Sequence, residues 1–181
     1  KIKKIAQIIS IQKNDNLSIK YIEDNFKKIS KPDSKMFYDL ANLYRQFKMY
    51  NKSIDNYNLI LDRFQLDDLS KASILYRRGT SYERLGDYSA SDKDLLNSLK
   101  LNYDEAYVLN YLAYNWLERN YKIVDAIDML KKANSLKPDD AFICDSLGWA
   151  YYLNGNLFDA EKFILKALEL KPNDPVIMDH Y

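Results

Sequence analysis

Few residues of this chain are of the types that act as nucleophiles, proton carriers or metal ligands. The 181 residues include a single histidine, His180, near the end of the chain, and a single cysteine, Cys144. One histidine cannot supply the converging groups of a metal site or an acid–base pair. Cys144 lies on an apolar helical face, which is typical of a buried small side chain rather than an activated thiolate. We therefore predict no catalytic residue, no metal ligand, no cofactor and no enzymatic activity.

Adjacent carboxylates occur at residues 67–68 and 139–140, where one helical pattern gives way to the next. Asp is a preferred residue at the start of a helix because its side chain accepts hydrogen bonds from the first free backbone amides. We interpret these carboxylates as helix caps and solvated turns, not as a paired acid and base.

The composition indicates a folded chain with little net charge. Lys and Arg number 27, Asp and Glu number 26, and hydrophobic residues make up 47%. A formal charge of +1 gives no general attraction for nucleic acid or an anionic membrane. No apolar run approaches the roughly 20 residues of a membrane span. We expect a soluble protein of the cytoplasm or periplasm, and a fragment whose N-terminal signal could be missing, since the first residue is not Met.

Glycine and proline punctuate the chain at regular intervals. The four glycines form two pairs, 79 with 86 and 148 with 155, and each pair is seven residues apart. The pairs are offset by 69 residues, close to twice 34, and Pro138 and Pro172 are 34 apart. Such spacing between helical patterns is typical of a stack of repeated helix hairpins. Because the repeat uses all four glycines, none remains for a phosphate-binding loop.

The aligned segments share a residue pattern. A small residue follows a larger one at 40–41, 78–79, 112–113 and 147–148, and an aromatic residue comes three positions later. In the second helix, Ala126 matches Ala160, and Ala133 matches Ala167. This pattern resembles the tetratricopeptide repeat family, in its bacterial form. The resemblance implies an all-α fold, a right-handed superhelical solenoid of antiparallel helix hairpins, and a function in binding other proteins.

The alignment predicts four repeats, at 34–71, 72–105, 106–140 and 141–174. The first has a few extra residues near 66–71, and the third has one extra residue in its turn near Lys122. Residues 1–33 predict a degenerate or capping hairpin, and residues 175–181 predict the start of a further repeat. Asp140 and Asp174 are predicted helix caps, and Gly86 and Gly155 are predicted left-handed turn residues.

The resemblance also implies which side chains face the groove along the first helices of the repeats. In the first two repeats these positions are polar and of mixed charge, for example Lys35, Tyr38 and Arg45. In the last two they are largely aromatic and apolar, and this half is the predicted partner site, formed by Tyr107, Asn110, Tyr114, Leu117, Phe142, Asp145, Trp149 and Tyr152. Tyr and Trp are frequent binding hot spots, so we expect a peptide or protein segment with apolar or aromatic anchors. Packing of the same aromatic residues on neighbouring hairpins is the alternative interpretation.

Other binding functions stay open. A clamp for a C-terminal carboxylate, known in the family, would need cations where this chain has Tyr38, Tyr107 and Tyr111, so we do not expect one. Residues 1–33 carry eight Lys against four Asp or Glu, which leaves RNA binding through this hairpin as an alternative. A third alternative is self-association through apolar surface at the C-terminal end.

Overall fold

The computed structural model describes residues 15–101 and 106–181, and every regular element in these ranges is an α-helix. The helices are α1 (Asp15–Phe26), α2 (Ser34–Gln46), α3 (Tyr50–Arg63), α4 (Asp68–Arg84), α5 (Tyr88–Leu101), α6 (Ala106–Glu118), α7 (Ile123–Leu136), α8 (Ala141–Leu153), α9 (Leu157–Leu170) and α10 (Pro175–His180). Within the described ranges, no helix is both long and apolar enough to cross a membrane. The predicted all-α class is confirmed.

The chain divides into two compact units, with the division inside α5, between Asp94 and Leu95. In the first unit, α2 packs against α3, and α3 packs against α4. In the second unit, α6 pairs with α7 and α8 pairs with α9. Helix α8 also contacts α6 and α7, and α10 rests on α8 and α9. Consecutive helices therefore form hairpins, and each hairpin packs on the next within its unit.

The turns inside the hairpins depend on left-handed backbone conformations. Gly86 and Gly155 both have φ of +79°, as predicted, and a residue without Cβ adopts that angle at little cost. The turn with the extra residue uses two non-glycine residues instead, Asn120 with φ of +52° and Lys122 with φ of +48°. Insertion of one residue is therefore absorbed in the turn and does not interrupt either helix.

Aspartates begin several helices. The carboxylate of Asp67 accepts a hydrogen bond from the amide of Ser70 at 2.7 Å, and Asp140 accepts from the amides of Phe142 and Ile143. Asp174 accepts from the amide of Val176, directly before a proline at the first helical position. The predicted capping roles of Asp67, Asp140 and Asp174 are confirmed.

Small residues allow the two helices of a hairpin to approach closely in the second unit. A Cβ atom added to Gly148 would lie 3.0 Å from the backbone nitrogen of Ile164 and 3.1 Å from the carbonyl oxygen of Ala160. Cys144 is fully buried beside Ala167 and Ile177, and desolvation raises the pKa of its thiol. Cys144 is thus a core residue, as predicted from its position.

The extra residues of the first repeat lengthen α4. Helix α4 has 17 residues, whereas α2, α6 and α8 have 13 each. The additional turn lies at the start of α4 and leaves Leu69 exposed. Helix α1 packs on α2 through Ile22, which contacts Leu40 and Tyr44. The remainder of the predicted capping hairpin, residues 1–14, lies outside the described residues, as do residues 102–105.

Candidate protein-binding surface

The predicted partner residues lie on two neighbouring helices of the second unit. Tyr107, Asn110, Tyr114 and Leu117 belong to α6, and the other four, from Phe142 to Tyr152, belong to α8. Because α6 and α8 pack against each other, the structure brings both sets to one region.

The eight side chains differ strongly in exposure. Tyr107, Phe142 and Tyr152 are 48%, 45% and 52% exposed, whereas Leu117 and Asp145 are only 3% and 2% exposed. Leu117 and Asp145 therefore cannot contact a partner directly, and the prediction for these two residues is corrected. Leu117 is part of the apolar core of the unit, and the carboxylate of Asp145 already has a partner within the chain.

That partner is His180 of α10. Its Nδ1 lies 3.0 Å from both carboxylate oxygens of Asp145, and the two side chains are 9% and 3% exposed. The hydrogen bond to Asp145 raises the pKa of His180, although desolvation alone would lower it. The histidine therefore forms a buried ion pair that attaches the last helix to α8. Sequence reasoning missed this role because it considered His180 only as a catalytic or metal-binding group.

His180 also completes an aromatic stack. Its ring lies 4.6 Å from the ring of Trp149 at an interplanar angle of 10°, and it meets Tyr114 at 6.3 Å. Tyr152 also stacks on the tryptophan, with its ring centroid at 5.2 Å. Burial raises the pKa of Tyr114 to about 12, and the carboxylate of Glu118 adds to this effect. Tyr114 and Trp149 are thus partly occupied by packing within the chain.

Two exposed aromatic residues carry a lysine over the ring. Lys137 Nζ lies 4.8 Å from the ring centroid of Tyr107, and Lys171 Nζ lies 4.1 Å from that of Phe142. Each lysine directly precedes the proline of its repeat, and each aromatic residue is the second residue of its helix, so the arrangement recurs. The predicted site residues did not include either lysine, although their positions before Pro138 and Pro172 were visible in the sequence.

Two buried polar atoms of this region lack a hydrogen-bond partner among the described residues. They are the side-chain oxygen Oδ1 of Asn110, an acceptor, and the indole nitrogen Nε1 of Trp149, a donor. A buried polar atom without a partner costs about 1–3 kcal/mol, so groups of this kind often mark a site where a ligand completes the bonding.

Comparison with known proteins adds to this geometry. The model of the tetratricopeptide repeat matches the chain twice, at residues 72–105 and 141–174. The chain carries tetratricopeptide repeats. The matched ranges are those of the second and fourth predicted repeats, and the division of the rest of the chain stays a prediction. A TPR repeat-containing protein of Pseudomonas aeruginosa is 36% identical over 104 residues, which cover 58% of this chain and 18% of the relative.

Solved structures share the fold at low sequence identity. BtubC from P. vanneervenii superposes with a TM-score of 0.79 at 16% identity, covering 99% of this chain and 80% of that one. YrrB, described as a TPR protein with an unusual peptide-binding site, gives a TM-score of 0.69 at 15% identity, covering 97% and 88%. A tetratricopeptide repeat protein from Parabacteroides merdae gives 0.76 at 15% identity, covering 99% and 69%. These similarities concern the fold, which is in general a non-catalytic scaffold for protein interactions.

Proposed function

We propose that this chain holds a segment of another protein against the exposed aromatic side chains of α6 and α8, and that it performs no chemistry. The observation that carries the proposal is the exposure of Tyr107, Phe142 and Tyr152, each about half accessible to solvent on helices that are otherwise buried. Leaving a large aromatic side chain in water is unfavourable, and burying one against a partner contributes about 1.5–3 kcal/mol to the free energy of binding. Aromatic residues in this situation are the usual anchors of a protein interface.

The chemistry around these rings favours a segment with apolar side chains rather than a charged one. The lysines above Tyr107 and Phe142 occupy one face of each ring and leave the other face for the apolar side chain of a partner. Affinity would then come from apolar burial between the rings.

The orphaned atoms supply a second support for a peptide ligand. A peptide bond offers one N–H donor and one carbonyl acceptor, which is the complement of the Asn110 acceptor and the Trp149 donor. A partner backbone bonded in this way would remove the cost of the two unsatisfied groups.

Site-specific photo-crosslinking tests the proposal. The photoreactive amino acid benzoylphenylalanine replaces Phe142 in one version of the protein and Phe158 in a control, and both are irradiated in a lysate of the source cell. Phe158 lies on α9 and is 80% exposed, against 45% for Phe142, so the control has the same residue type and is more accessible, but lies elsewhere. We expect a protein crosslinked through position 142 and not through position 158, with Tyr107→Ala reducing the yield.

Two outcomes would count against the proposed site. A crosslink at position 158 without one at position 142 would place the binding surface on α9 instead. A crosslink at position 142 that persists unchanged in a Tyr107→Ala/Tyr152→Ala variant would show that the exposed rings do not bind the partner. Circular dichroism melts of each variant, compared with wild type, establish that the helices remain folded.

An assembly role is a second candidate, favoured by the exposed apolar side chains of α10. Val176, Met178 and Tyr181 are all largely accessible at the end of the second unit. Sedimentation equilibrium would detect a dimer formed through this surface, and Met178→Glu would dissociate it. A monomer at all concentrations would exclude this alternative for the chain as it stands. RNA binding through the N-terminal lysines stays a prediction, because Lys1, Lys3 and Lys4 lie outside the described residues.

A further inference from the structure

Two arginines of the first unit have no carboxylate partner among the described residues. Arg45 Nη2 donates to the hydroxyl of Thr80 at 2.9 Å, and Arg77 Nε donates to the hydroxyl of Tyr38 at 2.6 Å. The Nε of Arg45 is buried and has no hydrogen-bond acceptor in the described part of the chain. A guanidinium carries five N–H donors, so both groups keep unused donors beside a positive charge.

In a third arginine of the first unit, Arg78, the guanidinium does have a carboxylate partner. Arg78 donates from Nε and Nη2 to the two carboxylate oxygens of Asp94, at 2.6 and 2.8 Å, and from Nη1 to Asn58 at 2.7 Å. This bidentate pair is a structural contact within the first unit. Among the described residues, Arg45 and Arg77 instead donate to neutral hydroxyl groups, and the guanidinium of Arg77 also lies 5.5 Å from the ring centroid of Tyr38. Neither positive charge is neutralised by a carboxylate there.

The two arginines belong to one hydrogen-bonded network. The hydroxyl of Thr80 accepts from Arg45 and donates to the backbone carbonyl of Arg77. Both guanidinium groups also act on the buried phenol of Tyr57: its pKa is about 12, raised by desolvation, while the positive charges of Arg45 and Arg77 oppose that rise. The two arginines also bridge the same pair of helices, since Arg45 of α2 donates to Thr80 of α4 and Arg77 of α4 donates to Tyr38 of α2.

An apolar pocket opens beside this network. Its volume is about 440 Å³, and its walls are contributed by α2, the end of α3 and the first turns of α4. Tyr38 and Ser73, whose hydroxyls are 3.3 Å apart, line the pocket and connect it to Arg77. The lining is otherwise mainly aliphatic, and the pocket residues are Ser34, Lys35, Tyr38, Ile60, Leu66, Leu69, Ser70, Ser73 and Ile74. Leu69 and Ser70 come from the extra turn of α4.

We propose that this part of the first unit is a second binding site, which takes an acidic segment of a partner protein. A carboxylate side chain of the segment is bound by Arg45 and Arg77, and an adjacent apolar side chain fills the pocket. Guanidinium and carboxylate groups form charge-assisted bonds about twice as strong as neutral ones. The site differs from the carboxylate clamp considered above, because Arg45 and Arg77 lie at other positions and an internal Asp or Glu suffices.

A protein segment fits this site better than a nucleic acid does. Four of the nine pocket residues are Ile or Leu and one, Tyr38, is aromatic, whereas single-stranded nucleic acids are bound by rows of aromatic rings on which bases stack. The formal charge of +1 also provides no long-range attraction for a polyanion. The site uses residues of the first unit only, so it does not depend on the aromatic surface proposed for the second unit.

Selection from a phage-displayed library of random dodecapeptides tests the proposal. The baits are the wild-type chain, the Arg45→Gln/Arg77→Gln variant, and the control variant Arg63→Gln, which removes one exposed arginine from α3. We expect the wild type and the control to enrich peptides in which Asp or Glu adjoins Leu, Ile, Met or Phe. For one such peptide, labelled with fluorescein, we expect anisotropy to give at least a tenfold loss of affinity in the double variant.

The same peptide separates this site from the proposed function. Its binding should survive Tyr107→Ala/Phe142→Ala, so failure of one site does not imply failure of the other. The proposal is overturned if the enriched peptides have no excess of Asp or Glu, or if the double variant binds them as tightly as wild type while its melting curve is unchanged. Binding of fluorescein-labelled poly(U) RNA, abolished by the same double variant in place of the peptide, would also overturn it in favour of a nucleic-acid ligand.

Discussion

The close approach of α8 and α9 at Gly148 gives a prediction whose size follows from the geometry. A methyl group in place of the glycine hydrogen would meet Ile164 Cγ1 at 2.6 Å and two backbone atoms at 3.0 and 3.1 Å. Carbon atoms pack comfortably at about 3.5–4.0 Å, so the helices would have to separate by several tenths of an ångström. We therefore predict that Gly148→Ala destabilises the protein.

Two opposing contributions set the magnitude. Overpacking a close contact costs about 1–3 kcal/mol, while replacing Gly by Ala inside a helix stabilises it by about 1 kcal/mol. Three contacts of 3.1 Å or less place Gly148→Ala in the upper part of the overpacking range, at about 2–3 kcal/mol, so the net loss is about 1–2 kcal/mol. For a chain of this size each kcal/mol corresponds to about 2–4 °C, so the melting temperature should fall by about 2–8 °C.

Thermal melts followed by circular dichroism measure this loss of stability. A second substitution separates the cost of the side-chain contact from the cost of the two backbone contacts. Ile164→Ala removes the side-chain atom at 2.6 Å but leaves the two backbone contacts. In that background Gly148→Ala should cost less than in the wild type, yet still more than zero. If Gly148→Ala melts at or above the wild-type temperature, the two helices are not in contact at this position and the role assigned to the glycine is wrong.

Three further predictions follow from contacts of the second unit. The pKa of His180, measured by NMR on the single histidine, should lie above 6.5 and fall below it in Asp145→Asn, where burial remains but the negative partner is gone. Because the folded-state pKa of His180 is raised, the ion pair stabilises the folded state fully below about pH 6.5, and this stabilisation is lost as the pH rises through the folded pKa. The melting temperature should therefore decline over that pH range in wild type only. An unchanged pKa of His180 in the variant would contradict the pairing. Asp140→Ala should cost about 1 kcal/mol in urea unfolding, since two amides at the start of α8 lose their acceptor, whereas Asp140→Asn should cost much less; equal losses would argue against capping. Phe142→Ala should change the melting temperature by less than Gly148→Ala does, because its ring is half exposed; a larger loss would mean that the ring is a packing residue.

The sequence was sufficient to predict the helices, their caps and the turns between them, because each depends on chemistry local to the chain. The caps at Asp140 and Asp174 need only a carboxylate followed by free amides, and the left-handed turns at Gly86 and Gly155 need only a residue without Cβ. Spacing alone therefore located them, and the same spacing located the helix pairs.

The candidate site was less predictable because exposure depends on what packs against a residue. Helical position placed both Phe142 and Asp145 on α8, but only Phe142 is exposed, since His180 of α10 covers and neutralises Asp145. Likewise, nothing in the sequence distinguishes Arg77, which lacks an acidic partner, from Arg78, which has Asp94. Only the positions of neighbouring helices separate these cases.

Three of the side-chain bonds between helices span the same interval along the chain. Tyr38 with Ser73, Arg45 with Thr80, and Asp145 with His180 each join residues 35 positions apart. Interactions of this range link a hairpin only to the one beside it, so cooperativity must pass along the array from neighbour to neighbour. In this chain α10 is held through Asp145 and Ile177, so its opening needs little more than the loss of one interface. Its amide hydrogens should therefore exchange before those of α8.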